Sequence, residues 1–230
     1  MERKQILNEL NKLADKDWAE DPKHIKIINT QNRILGVRTN DLKEYAKKLA
    51  KDDIESTILA LKDDSFEETL LQGLIIGKIA KIDECYAKII EFLPKIDNWA
   101  TCDQTVSALK VFKKDKDNKY FKSFVELAKD KREYYARFGI IMLMTYYLKP
   151  ETIGEVLKLM SQINNNAYYV QMAEAWLISV SFVKYREQTL ELIKTKTLPQ
   201  FVQNKAICKC RDSFRVSSFD KEELKKYRIK

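Results

Sequence analysis

Apolar residues at helical spacing run through nearly the whole of this chain, and almost nothing in it breaks a helix. Of its 230 residues, 5 are glycine and 4 proline, too few turn-formers for a sandwich or barrel of many short strands. Ile6, Leu7, Leu10 and Leu13 form one stripe, Leu42, Tyr45, Ala46 and Leu49 a second, and Ile153, Val156, Leu157 and Met160 a third. Leu190, Ile193 and Leu198 continue the habit, and strand-like alternation is nowhere visible. The breaks are short and polar: Lys51-Asp52-Asp53, Lys62-Asp63-Asp64, Asp115-Lys116-Asp117, Asn164-Asn165-Asn166 and Val216-Ser217-Ser218. Pro94, Pro150 and Pro199 each precede a helical pattern and fit its first turn. The pattern predicts about a dozen helices of about 10 to 18 residues, paired with a period of about 35 to 40 residues, close to that of HEAT repeats. The expected fold is all-α, a superhelical solenoid of stacked antiparallel helix pairs of HEAT-like or ARM-like type. With no Pro- or Ser-rich linker, residues 1–230 are expected to form one domain.

Composition narrows the function less than the fold. A hydrophobic fraction of 45% places the chain among globular proteins. The net charge of +8 favours an anionic partner such as nucleic acid, and equally fits a lysine-solubilised surface. Cys85, Cys102, Cys208 and Cys210 lie far in sequence from the single histidine, His24, so no zinc-type spacing occurs. Reduced thiols are expected. Met1-Glu2-Arg3-Lys4 opens an amphipathic helix rather than a signal peptide, and the apolar run Phe138 to Leu148 is too short to span a bilayer. It reads as a buried helix of a cytoplasmic protein. There is no GxGxxG, P-loop, nucleophile elbow or HExxH, so neither cofactor nor metal is expected.

The most specific local feature is Asn98-Trp99-Ala100-Thr101-Cys102-Asp103. A spacing of four puts the Trp99 indole and the Asp103 carboxylate on one helical face, a pairing that suits a cationic or sugar-like ligand. Arg137, in Tyr134-Tyr135-Ala136-Arg137-Phe138-Gly139, and Trp176, in Ala173-Glu174-Ala175-Trp176, are the other candidates. Taken singly, each has an ordinary structural reading: the tryptophans as core packing, Asp103 as a surface or capping acid, Arg137 as a snorkelling surface cation.

Taken in order, these residues resemble the HEAT-like-repeat DNA alkylation repair family, the AlkD-like DNA glycosylases. The similarity starts at Ile34-Leu35-Gly36-Val37-Arg38-Thr39-Asn40-Asp41-Leu42 and continues through Phe66-Glu67-Glu68-Thr69-Leu70-Leu71-Gln72-Gly73. Asn98-Trp99 to Asp103 matches the family's Trp-x-x-x-Asp signature, and Arg137 and Trp176 follow at the family's separations. The resemblance implies a monofunctional hydrolase that cleaves the N-glycosidic bond of cationic N3- or N7-alkylpurines in duplex DNA, as a monomer without cofactor or metal. It further implies that Trp99 and Trp176 pack on the deoxyribose, Asp103 lies near the anomeric carbon, and Arg137 holds a phosphate.

The chemistry of such a site is simple. Alkylation gives the purine a positive charge and makes it a good leaving group, so its departure leaves oxocarbenium character on the sugar. A nearby carboxylate stabilises that charge and orients water, and indole faces add cation–π attraction. The phosphates need Lys and Arg. The stretch Gln171 to Ser179 departs from the family pattern in carrying no cation, and Glu174 would oppose phosphate if it faced a groove. A second basic stretch, Lys205 to Arg215, offers Lys209, Arg211 and Arg215 for backbone contact. Two other readings are a catalytically silent DNA-binding paralogue that recognises distorted or branched DNA, and a helical scaffold for other proteins.

Overall fold

A computed structural model describes residues 2–51 and 53–230; Asp52, in the first of the predicted breaks, lies outside the described residues. The protein is all-α. Its helices are α1 (Arg3–Leu13), α2 (Lys16–Glu20), α3 (Pro22–Ile28), α4 (Thr39–Leu49), α5 (Ile54–Ala60), α6 (Phe66–Ile76), α7 (Ile82–Phe92), α8 (Trp99–Ala108), α9 (Phe121–Ala128), α10 (Glu133–Tyr146), α11 (Ile153–Met160), α12 (Tyr168–Lys184), α13 (Arg186–Thr195), α14 (Gln200–Asp212) and α15 (Ser218–Lys225). Two short 3-10 turns, Leu93–Lys95 and Lys110–Lys114, complete the order. Among the described residues the non-helical pairing is limited to isolated bridges, Ala14 with Val37 and Arg33 with Ser65. No described helix is long and apolar enough to cross a membrane.

The helices are more numerous and shorter than the stripes predict. α2 has 5 residues, and α3 and α5 have 7 each, lengths at which a period of 3.6 leaves little trace. The predicted breaks otherwise fall between helices, and the apolar run from Phe138 is the buried body of α10. Pro199 caps α14, whereas Pro150 sits in the turn before α11 and Pro94 inside a 3-10 turn. Pro22 takes the first position of α3, where its missing N–H costs nothing.

Packing divides the chain into two compact units, Met1–Lys116 and Asp117–Lys230. In the first, every second helix stacks on the next: α4 on α6 and α6 on α8, with α5 and α7 against α6. Enclosed by these four, α6 is buried along all 11 residues, while α4 shows a one-sided apolar stripe. The stack is close because Gly73 leaves room: a Cβ there would lie 2.0 Å from Thr105 Oγ1 on α8.

The second unit repeats the arrangement. α10 packs on α9 and α12, α12 on α14, and α11 on α13. Gly139 of α10 comes so near α9 that a Cβ would meet the Ala128 amide at 2.4 Å.

Two of the family-like segments meet within the first unit. Gly36, at φ +99°, turns the extended chain between α3 and α4, and the carboxylate of Glu67 on α6 receives the amides of Leu35 (2.8 Å), Gly36 (2.7 Å) and Val37 (3.2 Å). Burial pushes the Glu67 carboxyl upward, and the three amides oppose that shift. Its neighbour Glu68 accepts from Arg3 Nε at 2.7 Å and from the Lys62 amide at 2.7 Å, which ties α1 to α6.

Candidate functional site: an aromatic–acidic helix and a basic hollow

In the first unit the candidates stand on α8. Asn98 is its N-cap, with the side-chain oxygen accepting from the Thr101 amide at 2.8 Å. The Asn98 amide group donates to Asp97 Oδ1 at 2.7 Å, and Asp97 Oδ2 accepts from Thr30 Oγ1 at 2.6 Å and the Gln31 amide at 2.8 Å. The start of α8 is thus tied to the segment after α3. Trp99, the first helical residue, is half-buried, and its indole N–H donates to the Ile27 carbonyl at 2.6 Å. Asp103 follows one turn later, also half-buried. A hydrogen-bonded indole and a half-buried carboxylate therefore share one face of α8.

In the second unit Trp176 of α12 is 38% exposed, not in the core, and borders a hollow of about 410 Å³. Val180 and Val183 continue its face of α12, and the rim carries Lys184, Lys209, Phe214 and Arg215 together with one acid, Asp212. The cations that Gln171 to Ser179 lacks are supplied from the end of α12, from α14 and from the following loop. Burial lowers the pKa of Lys209, and Lys205 and Arg137 add like-charge repulsion that Asp212 partly offsets. Lys209 thus borders the Trp176 hollow and lies within electrostatic reach of Arg137.

Arg137 takes a buried position, at odds with the snorkelling surface cation that its place on a helix suggests. It is 5% exposed, and its Nη1 donates to the Tyr169 carbonyl at 2.7 Å. Glu174 is also buried, so it does not oppose an anion from the hollow. Its Oε2 has no hydrogen-bond partner among the described residues, and burial pushes its carboxyl up to about 8. Of the C-terminal basic residues, Lys209 and Arg215 reach the hollow, whereas Arg211 acts electrostatically on Glu222 of α15. Cys208 is half-exposed and Cys210 buried, the divergence expected of residues two apart on a helix.

Three further residues were missed by the sequence reading, two at the Trp176 hollow and Trp18 elsewhere, in the first unit. Lys184 lies two turns after Trp176, a spacing of eight that helical periodicity makes legible. Phe214, 89% exposed beside that hollow, and Trp18, stacked on His24 at 4.7 Å with the Arg38 guanidinium 5.0 Å from its ring, belong to no stripe.

A family model described as DNA alkylation repair enzyme matches residues 6–208 of the chain. Neither a curated protein nor a solved structure matches it.

Proposed function

Because the chain belongs to the DNA alkylation repair enzyme family, we propose that it is a DNA glycosylase for duplex DNA carrying cationic N3- or N7-alkylpurines, acting as a monomer with residues 1–230 as one working domain. The family places the protein in DNA repair. The observation that carries the finer reading is the face of α8, where the indole of Trp99 is pinned to the Ile27 carbonyl one turn before Asp103.

In this reading Asp103 acts on the sugar. As the charged purine leaves, positive charge develops at the anomeric carbon, and a carboxylate close by stabilises it and orients the attacking water. No general acid is required, since the alkylated base departs neutral. Trp99 and Trp176 offer π-faces to the developing cation, an attraction of about 0.5–2 kcal/mol each. Arg137, Lys209, Lys184 and Arg215 provide the positive field that draws in phosphates. The cations around the Trp176 hollow support this reading over a catalytically silent DNA-binding paralogue, which the lack of cations in Gln171 to Ser179 favours.

The test is base release from methylated duplex DNA. The wild type is expected to release 7-methylguanine or 3-methyladenine. Asp103→Asn is expected to lower release at least about 10²-fold while duplex affinity stays within about twofold. Salt-dependent duplex or junction binding by the wild type without any release would replace this reading with the silent paralogue. Absence of both would leave the scaffold.

A further inference from the structure

The first turns of α10, α12 and α14 carry a continuous row of aromatic rings that the glycosylase reading does not use. Tyr134 of α10 lies 5.9 Å from Tyr169 of α12, Tyr169 lies 5.2 Å from Tyr168, and Tyr168 lies 6.1 Å from Phe201 of α14, centroid to centroid. Tyr168 is 55% exposed and Phe201 40%. Helix stacking would be served by smaller or buried side chains at these positions. Rings from three alternate helices instead remain in contact with one another at the surface.

Positive charge borders the row along its length. Arg132 places its guanidinium 3.4 Å from the Tyr135 ring centroid, and Arg137 lies 5.9 Å from that of Tyr169. At the far end Phe201 opens onto a hollow of about 390 Å³ whose cations are Lys205 and Arg228. Lys205 and Arg137 each lie close enough to Lys209 to add repulsion to the burial that lowers its pKa, with Asp212 partly offsetting them. Two carboxylates reach the Tyr134 end: Glu133 accepts from the Tyr169 amide at 2.9 Å, and Asp130 accepts from Arg132 Nε at 3.0 Å and Nη2 at 2.7 Å, so the excess of positive charge lies towards Phe201. An apolar protein partner would gain nothing from such a concentration of like charge, whereas a polyanion with flat apolar faces satisfies both the rings and the cations. A duplex hides its base faces in its own stack, so only unpaired bases can present them to this row.

We propose that the strip from Tyr134 through Tyr169 and Tyr168 to Phe201 binds single-stranded DNA, its bases stacking on the rings and its phosphates meeting Lys205 and Arg228. This site goes beyond the glycosylase reading and does not depend on Asp103 or the two tryptophans. It gives a repair protein a hold on an unpaired strand near damaged duplex.

Fluorescence anisotropy of the full chain with a fluorescein-labelled dT20 tests it. Binding is expected at low salt. Tyr168→Leu/Phe201→Leu, which keeps apolar area but removes both π-faces, should weaken it by at least about tenfold, while Tyr168→Trp keeps it. Lys205→Ala should reduce the slope of log affinity against log salt by about 0.7. No binding of dT20 by the wild type, full affinity in the double leucine variant with an unchanged helical spectrum, or a tenfold preference for rU20 would each overturn the proposal. Loss of dT20 binding with base release intact removes this site alone, and dT20 binding without base release removes the glycosylase reading alone.

Discussion

α8 and α12 each present a tryptophan from the helix face that the site reading uses, and the starts of the two helices are secured differently. α8 is tied by polar contacts: the Asn98 cap, the Asp97 links to Thr30 and Gln31, and the Trp99 indole on the Ile27 carbonyl. α12 is held by apolar burial against α10 and α14, and both helices carry buried polar atoms without partners among the described residues: Gln104 Oε1 and Thr105 Oγ1 on α8, Glu174 Oε2 and the Ser181 hydroxyl on α12. The first arrangement fixes an orientation, as befits a group that must meet one reacting atom. The second leaves Trp176 open among cations and puts a cost inside the helix that displays it.

The largest expected effect bears on that cost. Glu174 has its folded-state pKa raised to about 8 by burial, so the native state holds a proton that the unfolded chain releases near the ordinary carboxylate value. Stability is therefore full at low pH, declines as pH rises from about 4.5 towards 8, and levels off above that. The decline is up to about 4 kcal/mol. Urea unfolding across pH 5 to 9 should show it in the wild type and a flattened profile in Glu174→Gln. An unchanged profile in the variant would mean that α12 carries no such burden.

Gly73→Ala attacks the other helix. The new methyl collides with Thr105 on α8, and overpacking of this kind costs about 2–3 kcal/mol in unfolding free energy. Adding Thr105→Ala should recover part of the loss, because it removes the Oγ1 that the new Cβ would meet at 2.0 Å. Next in size is the direct contrast of the indoles. Trp99→Phe loses its hydrogen bond to Ile27 and should cost about 1 kcal/mol, while Trp176→Phe should stay within about 0.5 kcal/mol, both read by thermal melting. Equal costs would erase the distinction between a tied and an open tryptophan. The smallest effect is electrostatic: Lys209→Ala and Arg215→Ala should each lower the salt slope of duplex binding by about 1 if the rim of the Trp176 hollow meets phosphate.

The same two helices show what a lone sequence discloses. Stripes such as Leu42, Tyr45, Ala46 and Leu49 declare their helix because one side meets solvent, and the apolar run of α10 declares a buried one. α2 and α3 stay hidden because one or two turns cannot display a period. Trp99 and Asp103 were legible since their relation is internal to one helix. The setting of Trp176 was not, since Lys209, Arg215 and Phe214 reach it from α14 and the loop beyond, and stacking between helices leaves no mark on residue spacing. The burial of Arg137 was not legible for a related reason: one of its hydrogen-bond acceptors is a main-chain carbonyl 32 residues away, which any residue type could provide.

The Glu67 carboxylate, which gathers the amides of Leu35, Gly36 and Val37, gives the chain an internal reporter. Those three protons sit on an extended segment of low intrinsic order, yet their hydrogen exchange is governed by a helix some 30 residues further on. They should exchange with the core of α6 and not with the neighbouring loop. Their protection factors would then time the moment at which the amino-terminal segment and the first buried helix become one cooperative piece.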